Sequence, residues 1–207
     1  MSLGLVIAVG TNLVVVFGFT CDSFFLNPPI SGTHKADTLK GTANSEGICG
    51  RDGNDRIDAL AGDDIIDGGD GNDIINGDEG VDHIDGGLGN DAINGGMGRD
   101  WISGDPGNDN LDGGEGPDVI DGFTGNDVIY GGEGRDQIMG DTGADKIYGG
   151  DGDDYIYHGR YEGDPLLELR SDGKKDFIDC GPGVDEAIIN VDVDNDEAIN
   201  CERVIPG

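Results

Sequence analysis

Positive charge is what this sequence has least of: 12 Lys and Arg stand against 44 Asp and Glu, a formal net charge of −32 over 207 residues. An imbalance of that size repels polyanions, so nucleic acid and anionic membrane are excluded as partners and cations are favoured. Histidine is nearly as scarce, with only His34, His83 and His158, and neither HExxH nor GxSxG occurs. The usual signatures of a zinc hydrolase and of a serine nucleophile elbow are therefore missing. Cys21, Cys49, Cys180 and Cys201 never form a CxxC, which removes the common zinc and dithiol motifs. One acidic run, DVDND at 192–196, invites comparison with an EF-hand, but Glu197 stands where that loop needs glycine and Arg203 where it needs glutamate. A β-strand with acidic outward positions is expected there instead.

Glycine, by contrast, is abundant at 41 residues, and it recurs with a fixed period. From Gly32 to Tyr157 the chain runs 126 residues as fourteen units of nine without an insertion, among them GGDGNDIIN (68–76), GGLGNDAIN (86–94) and GGEGRDQIM (131–139). The sixth position holds Asp37, Glu46, Asp55, Asp64 and then an aspartate every nine residues to Asp154. The eighth position holds Leu39, Ile48, Ile57 and then isoleucine or Leu111 to Ile156, and it is never polar. A disordered Gly/Asp tract would not hold an apolar residue at one phase for fourteen periods. Glycine at the first, second and fourth positions permits positive φ and close backbone approach. One aspartate per loop adds a hard anionic oxygen, the ligand type a calcium ion prefers. The three residues that follow make a short strand with its middle side chain turned inward. Two units, eighteen residues, close one coil.

This nonapeptide, GGxGxDxUx, resembles the hemolysin-type calcium-binding (RTX) repeat. The resemblance implies an all-β fold, a right-handed parallel β-roll, that is a β-solenoid with two nonapeptides per coil and terminal caps. It also implies calcium held between the loops of successive coils by aspartate side chains and loop carbonyls. The implied metal ligands are Asp55, Asp64, Asp73, Asp82, Asp91, Asp100, Asp109, Asp118, Asp127, Asp136, Asp145 and Asp154. Seven coils leave six gaps on each of two sides, so roughly ten to twelve Ca²⁺ ions are expected, about +24 of charge against the chain's deficit. Calcium is then structural, and the repeats are unfolded or molten without it. The first two units are degenerate: Lys35 and Asn44 replace glycine and Glu46 replaces aspartate, so this end reads as a cap. Gly-Gly opens the units at 95, 113, 131 and 149, whereas Asp105, Phe123 and Asp141 take the second position on the opposite side, so one calcium column should be the more regular. Tyr130 should lie over Tyr148, with Tyr157 nearby, as cover for strand edges.

Residues 1–21 are apolar from Leu3 to Phe19 apart from Thr11 and Asn12, which fits an export signal or membrane anchor. A mis-set start, or a hydrophobic segment packed on the roll, are the alternatives. Residues 22–31, with Asn27-Pro28-Pro29, read as a linker. After the roll (32–157) comes an insertion (158–170) whose Leu166, Leu167 and Leu169 suit a lid or short helix. Two weaker repeats and a closing segment occupy 171–207. Cys180 with Cys201 is the natural pairing, and Cys21 with Cys49 would pin the N-terminal segment to the second unit; disulfides imply an oxidising compartment. The expectation is a secreted or cell-surface, non-catalytic calcium-binding protein with a structural, adhesive or matrix role. Its membrane contact is limited to an N-terminal anchor, and its surface partner is undefined. A different reading is a calcium-triggered export and folding module separated from a secreted enzyme or toxin. Paired carboxylates recur in every coil, whereas a catalytic pair is singular in its surroundings.

Overall fold

The computed structural model describes residues 8–9, 12–13, 29–157, 176–189 and 197–206. Strand and loop alternate throughout, and among the described residues there is no helix. The seventh to ninth residues of each unit are extended, and because successive side chains point to opposite faces, the eighth residue alone turns inward. Strands eighteen residues apart lie side by side and parallel. One nine-stranded sheet runs from Thr38–Lys40 to Glu197–Ile199, and a ten-stranded sheet runs from Ile30–Ser31 to Arg203–Pro206, together a solenoid of about eight turns.

The core is two aliphatic stacks. Ile75, Ile93, Leu111, Ile129, Ile147 and Ile178 sit in register on the first sheet, and Ile66, Ile84, Ile102, Ile120, Ile138 and Ile156 on the second. None of these is more than 3% exposed. With one apolar side chain per strand, burial fixes the register, since a slip of one residue would turn every isoleucine to solvent.

Both ends extend further than the repeats. Ile30–Ser31, inside the expected linker, already pairs with Ile48 and Cys49. At the other end Lys146 pairs with Phe177, so the coil resumes across residues 158–175 without a change of register. In the tail, Glu197–Ile199 pairs with Phe177–Asp179 and Arg203–Pro206 with Glu186–Ile189, adding another rung. The expected lid and the DVDND run lie outside the described residues. So does the expected N-terminal anchor, except that Ala8–Val9 pairs antiparallel with Asn12–Leu13. No helix among the described residues is long and apolar enough to cross a membrane.

Cys180 and Cys201 are bonded as expected. Cys49 is buried and disulfide-bonded, and its expected partner Cys21 lies outside the described residues.

Candidate metal centre

Each loop turns through a left-handed second residue. Gly69, Gly87, Gly96, Gly114, Gly132 and Gly150 have φ between 92° and 113°, and the side-chain-bearing residues there obey the same rule, with Arg51 at 84°, Leu60 at 81° and Phe123 at 64°. For a bulky residue such as phenylalanine that conformation is strained, so the stacking of neighbouring coils, rather than local preference, imposes it. The expected asymmetry between columns appears in the ladder. Strands such as Asn110–Glu115 and Val128–Glu133 continue through their Gly-Gly, whereas Trp101–Ser103, Val119–Asp121 and Gln137–Met139 stop short of Asp105, Phe123 and Asp141. There pairing resumes only as single bridges at Pro106, Thr124 and Thr142.

All twelve aspartates singled out in the sequence fall in two buried rows, one along each edge of the roll, and none is more than 2% exposed. Asp176 and Asp185 extend the rows and are as deeply buried. Each carboxylate reaches back one coil: its Oδ1 accepts the backbone N–H of the corresponding residue in the preceding turn, at 2.6 to 2.9 Å. The second oxygen is different. In Asp55, Asp64, Asp73, Asp82, Asp91, Asp100, Asp109, Asp118, Asp127, Asp136, Asp154 and Asp185, Oδ2 is buried and has no hydrogen-bond partner. Leaving such an acceptor bare costs about 1–3 kcal/mol, and more when the group is ionised.

That oxygen faces a cradle which only glycine leaves open. A Cβ placed on Gly104 would stand 2.7 Å from Asp109 Oδ2 and 3.1 Å from the Gly122 carbonyl oxygen, and one on Gly122 would stand 2.7 Å from Asp127 Oδ2 and 3.1 Å from the Gly140 carbonyl. An anionic oxygen and the carbonyl of the next coil thus converge on one space. Among the described residues no three His, Cys, Asp or Glu side chains come together as a metal cluster. Each loop instead offers one carboxylate together with main-chain oxygens, a donor set suited to a hard cation such as calcium and not to a softer metal. Burial pushes the carboxyls up, against the lowering effect of the backbone N–H each accepts. Asp64, Asp73, Asp91, Asp100, Asp127 and Asp136 reach about 6, and Asp82, Asp109 and Asp154 about 7. Asp118, with Asp100 and Asp136 also pressing on it, reaches about 8. Without a cation, ionising these rows at neutral pH is costly.

The first two units close on themselves. Thr33 donates its N–H and hydroxyl to Asp37 Oδ2 at 2.7 and 2.8 Å, and Thr42 donates its N–H to Glu46 Oε2 and its hydroxyl to Glu46 Oε1. The Thr33 hydroxyl holds the Asp37 carboxyl below its usual value. These carboxylates, left out of the expected ligand set, already have partners.

An asparagine ladder went unnoticed in the sequence. The Oδ1 of Asn54, Asn72, Asn90, Asn108 and Asn126 each accepts the N–H of the fifth residue one coil on, at 2.7 to 3.1 Å. The opposite edge has Val81, Arg99, Pro117 and Arg135 at that position. The period-18 recurrence of Asn-Asp was the available signal. Tyr130 stacks on Tyr148 with centroids 4.9 Å apart, and Trp101 on His83 at 4.4 Å, so these rings cover one another's faces.

Among known families, the model described as RTX calcium-binding nonapeptide repeat matches the chain four times, over residues 50–84, 70–102, 103–138 and 130–160. No curated protein matches it.

Proposed function

Because the chain belongs to the family of RTX calcium-binding nonapeptide repeats, we propose that it is an extracellular structural protein whose roll folds only when calcium fills the spaces between its coils. The ligands are the carboxylates of Asp55, Asp64, Asp73, Asp82, Asp91, Asp100, Asp109, Asp118, Asp127, Asp136, Asp145 and Asp154, with loop carbonyls completing each sphere, and roughly ten to twelve ions are held. Calcium, when bound, supplies the positive charge that lets rows of buried carboxylates ionise side by side. The single observation that carries this reading is the repeated Oδ2, buried, without a hydrogen bond and aimed at a glycine cradle.

The chain's own residues do the rest. The Oδ1-to-amide bonds fix each carboxylate against the coil before it, and the isoleucine stacks exclude water from one side of every loop. Location outside the cell is supported by the Cys180–Cys201 disulfide, which is stable in an oxidising compartment, and by the millimolar calcium needed to fill weak extracellular-type sites. A non-catalytic role is supported by the equivalence of the aspartates from coil to coil.

Circular dichroism of the chain in chelator and across a calcium titration, with bound ions counted by equilibrium dialysis, tests the reading. A rise in β-structure with uptake of about ten ions is expected. The same spectrum with and without metal would overturn it.

A further inference from the structure

In the repeated coils five loop residues separate the ninth residue of one unit from the sixth of the next, as Gly149 to Asp153 separate Tyr148 from Asp154. The last rung departs from this. Glu202 takes the sixth position, since its Oε2 accepts the Asp185 N–H at 2.8 Å, and the Arg203 N–H bonds the Asp185 carbonyl as its counterparts do in earlier coils. Between Ile199 and Glu202 only Asn200 and Cys201 remain. This turn has no glycine and one left-handed residue, Asn200 at φ 57°, so it cannot rebuild the carbonyl cradle of the loops below. Over the preceding loop lies an open hollow lined by Asp179, Gly181, Pro182, Gly183, Asn200 and Glu202.

The hydrophobic hold on this rung is also thin. Ala198 and Val204 stand at the inward position that isoleucine fills in most other coils, and Val204 is 41% exposed. In its place comes a covalent link. Cys180 occupies the first loop position, which is glycine in every repeat of the main block except at Ala59. The reason for glycine is steric: a Cβ on Gly131 would lie 2.2 Å from the next coil's carbonyl, and one on Gly149 would lie 2.3 Å from that of Cys180. Because the next coil turns through only Asn200 and Cys201, with no five-residue loop stacked on Cys180, the Cys180 side chain has room, is fully buried, and bonds Cys201 with the Cα atoms 5.2 Å apart.

Resting on the calcium reading above, we infer that this disulfide takes calcium's place in the terminal rung, so that metal orders the body of the roll while the thiol redox state alone decides whether residues 197–206 stay docked. Bond formation oxidises two thiols with loss of two protons and two electrons to an oxidant of the disulfide-exchange class, and a thiol reductant reverses it. The closed loop, with a separation of 21 residues, makes the docked rung on the order of 100-fold more favoured than its reduced form.

Hydrogen exchange on the full chain tests the inference. In saturating calcium, the Cys180→Ala/Cys201→Ala double variant should lose protection on the order of 100-fold across 197–206, while 92–151 stays within about twofold of the parent. Adding reductant to the folded, calcium-loaded parent, with alkylation confirming free Cys180 and Cys201, should reproduce the same local loss. Unchanged protection at 197–206, or loss spreading through 92–151, would overturn the inference. Failure of the calcium reading shows separately, as equal protection of 92–151 in the parent with calcium and with chelator.

Discussion

Replacing Asp100 by asparagine should change sign of effect with the metal. Asp100 has no exposed surface, its Oδ1 accepts the Asp82 N–H, and its Oδ2 shares the space above Gly95 with the Gly113 carbonyl. In Asp100→Asn the carboxamide oxygen still accepts the Asp82 N–H, and its NH₂ can donate to the carbonyl that the carboxylate repels. Burial moves the Asp100 carboxyl from 3.8 to about 6, so keeping it ionised at neutral pH costs the calcium-free roll about 3 kcal/mol. Asparagine removes that cost. With calcium the balance reverses: one site filled at about 100 times its dissociation constant contributes about 3 kcal/mol, and a neutral amide forfeits most of it. In chelator, folding can be driven by a protecting osmolyte, and circular dichroism should show the variant folding at a lower osmolyte concentration than the parent. In calcium, its urea midpoint should fall, with a loss of about 2–3 kcal/mol. A shift of the same sign in both media would refute the argument that the carboxylate is a liability without metal and an asset with it.

Other measurements probe the same rows. With the calcium-free roll held folded by osmolyte, calcium uptake at pH 7 should release protons, followed in a pH-stat, because Asp82, Asp109, Asp118 and Asp154 are raised to about 7 to 8 in that folded state. These carboxyls are raised above their unfolded value of 3.8, so the stability they lend the calcium-free roll is fully present below that pH and is lost as pH rises through about 6 to 8; chelated protein should show more β-structure at pH 4 than at pH 8. Gly104→Ala places a methyl 2.7 Å from Asp109 Oδ2 and 3.1 Å from the Gly122 carbonyl; calorimetry should show about one binding site fewer. Asn90→Ala leaves the Asn108 N–H without its 2.7 Å acceptor and should cost about 1 kcal/mol in urea unfolding with calcium affinity little altered.

Much of this architecture could be read directly because period and residue type coincide. An isoleucine at every eighth position can only stack inward, and an aspartate at every sixth can only line the loop edges, so Ile57 to Ile156 and Asp55 to Asp154 fell where expected. What escaped were features set by neighbours in space. Asn90 looks like an ordinary loop residue until coils eighteen residues apart bring the Asn108 amide to it. Phe123 at φ 64° defies local preference because the coils around it dictate the backbone. The tail's closing rung was not legible because Glu202 carries the sixth position after a turn three residues too short for the repeat pattern. Lys146 and Phe177 differ in number by one coil plus thirteen residues and still pair, so the extra length matches that of the expected insertion.

The two edges of the roll differ, and that restricts how such a chain can grow or shrink. Excising a single nonapeptide would keep every isoleucine inside, yet it would seat the asparagine loops against those bearing Arg99, Pro117 and Arg135; a proline there has no N–H to give an asparagine oxygen. Duplication or loss in whole turns avoids the mismatch. Length in this protein is therefore quantised in steps of eighteen, like a spiral stair that can be shortened only by complete flights.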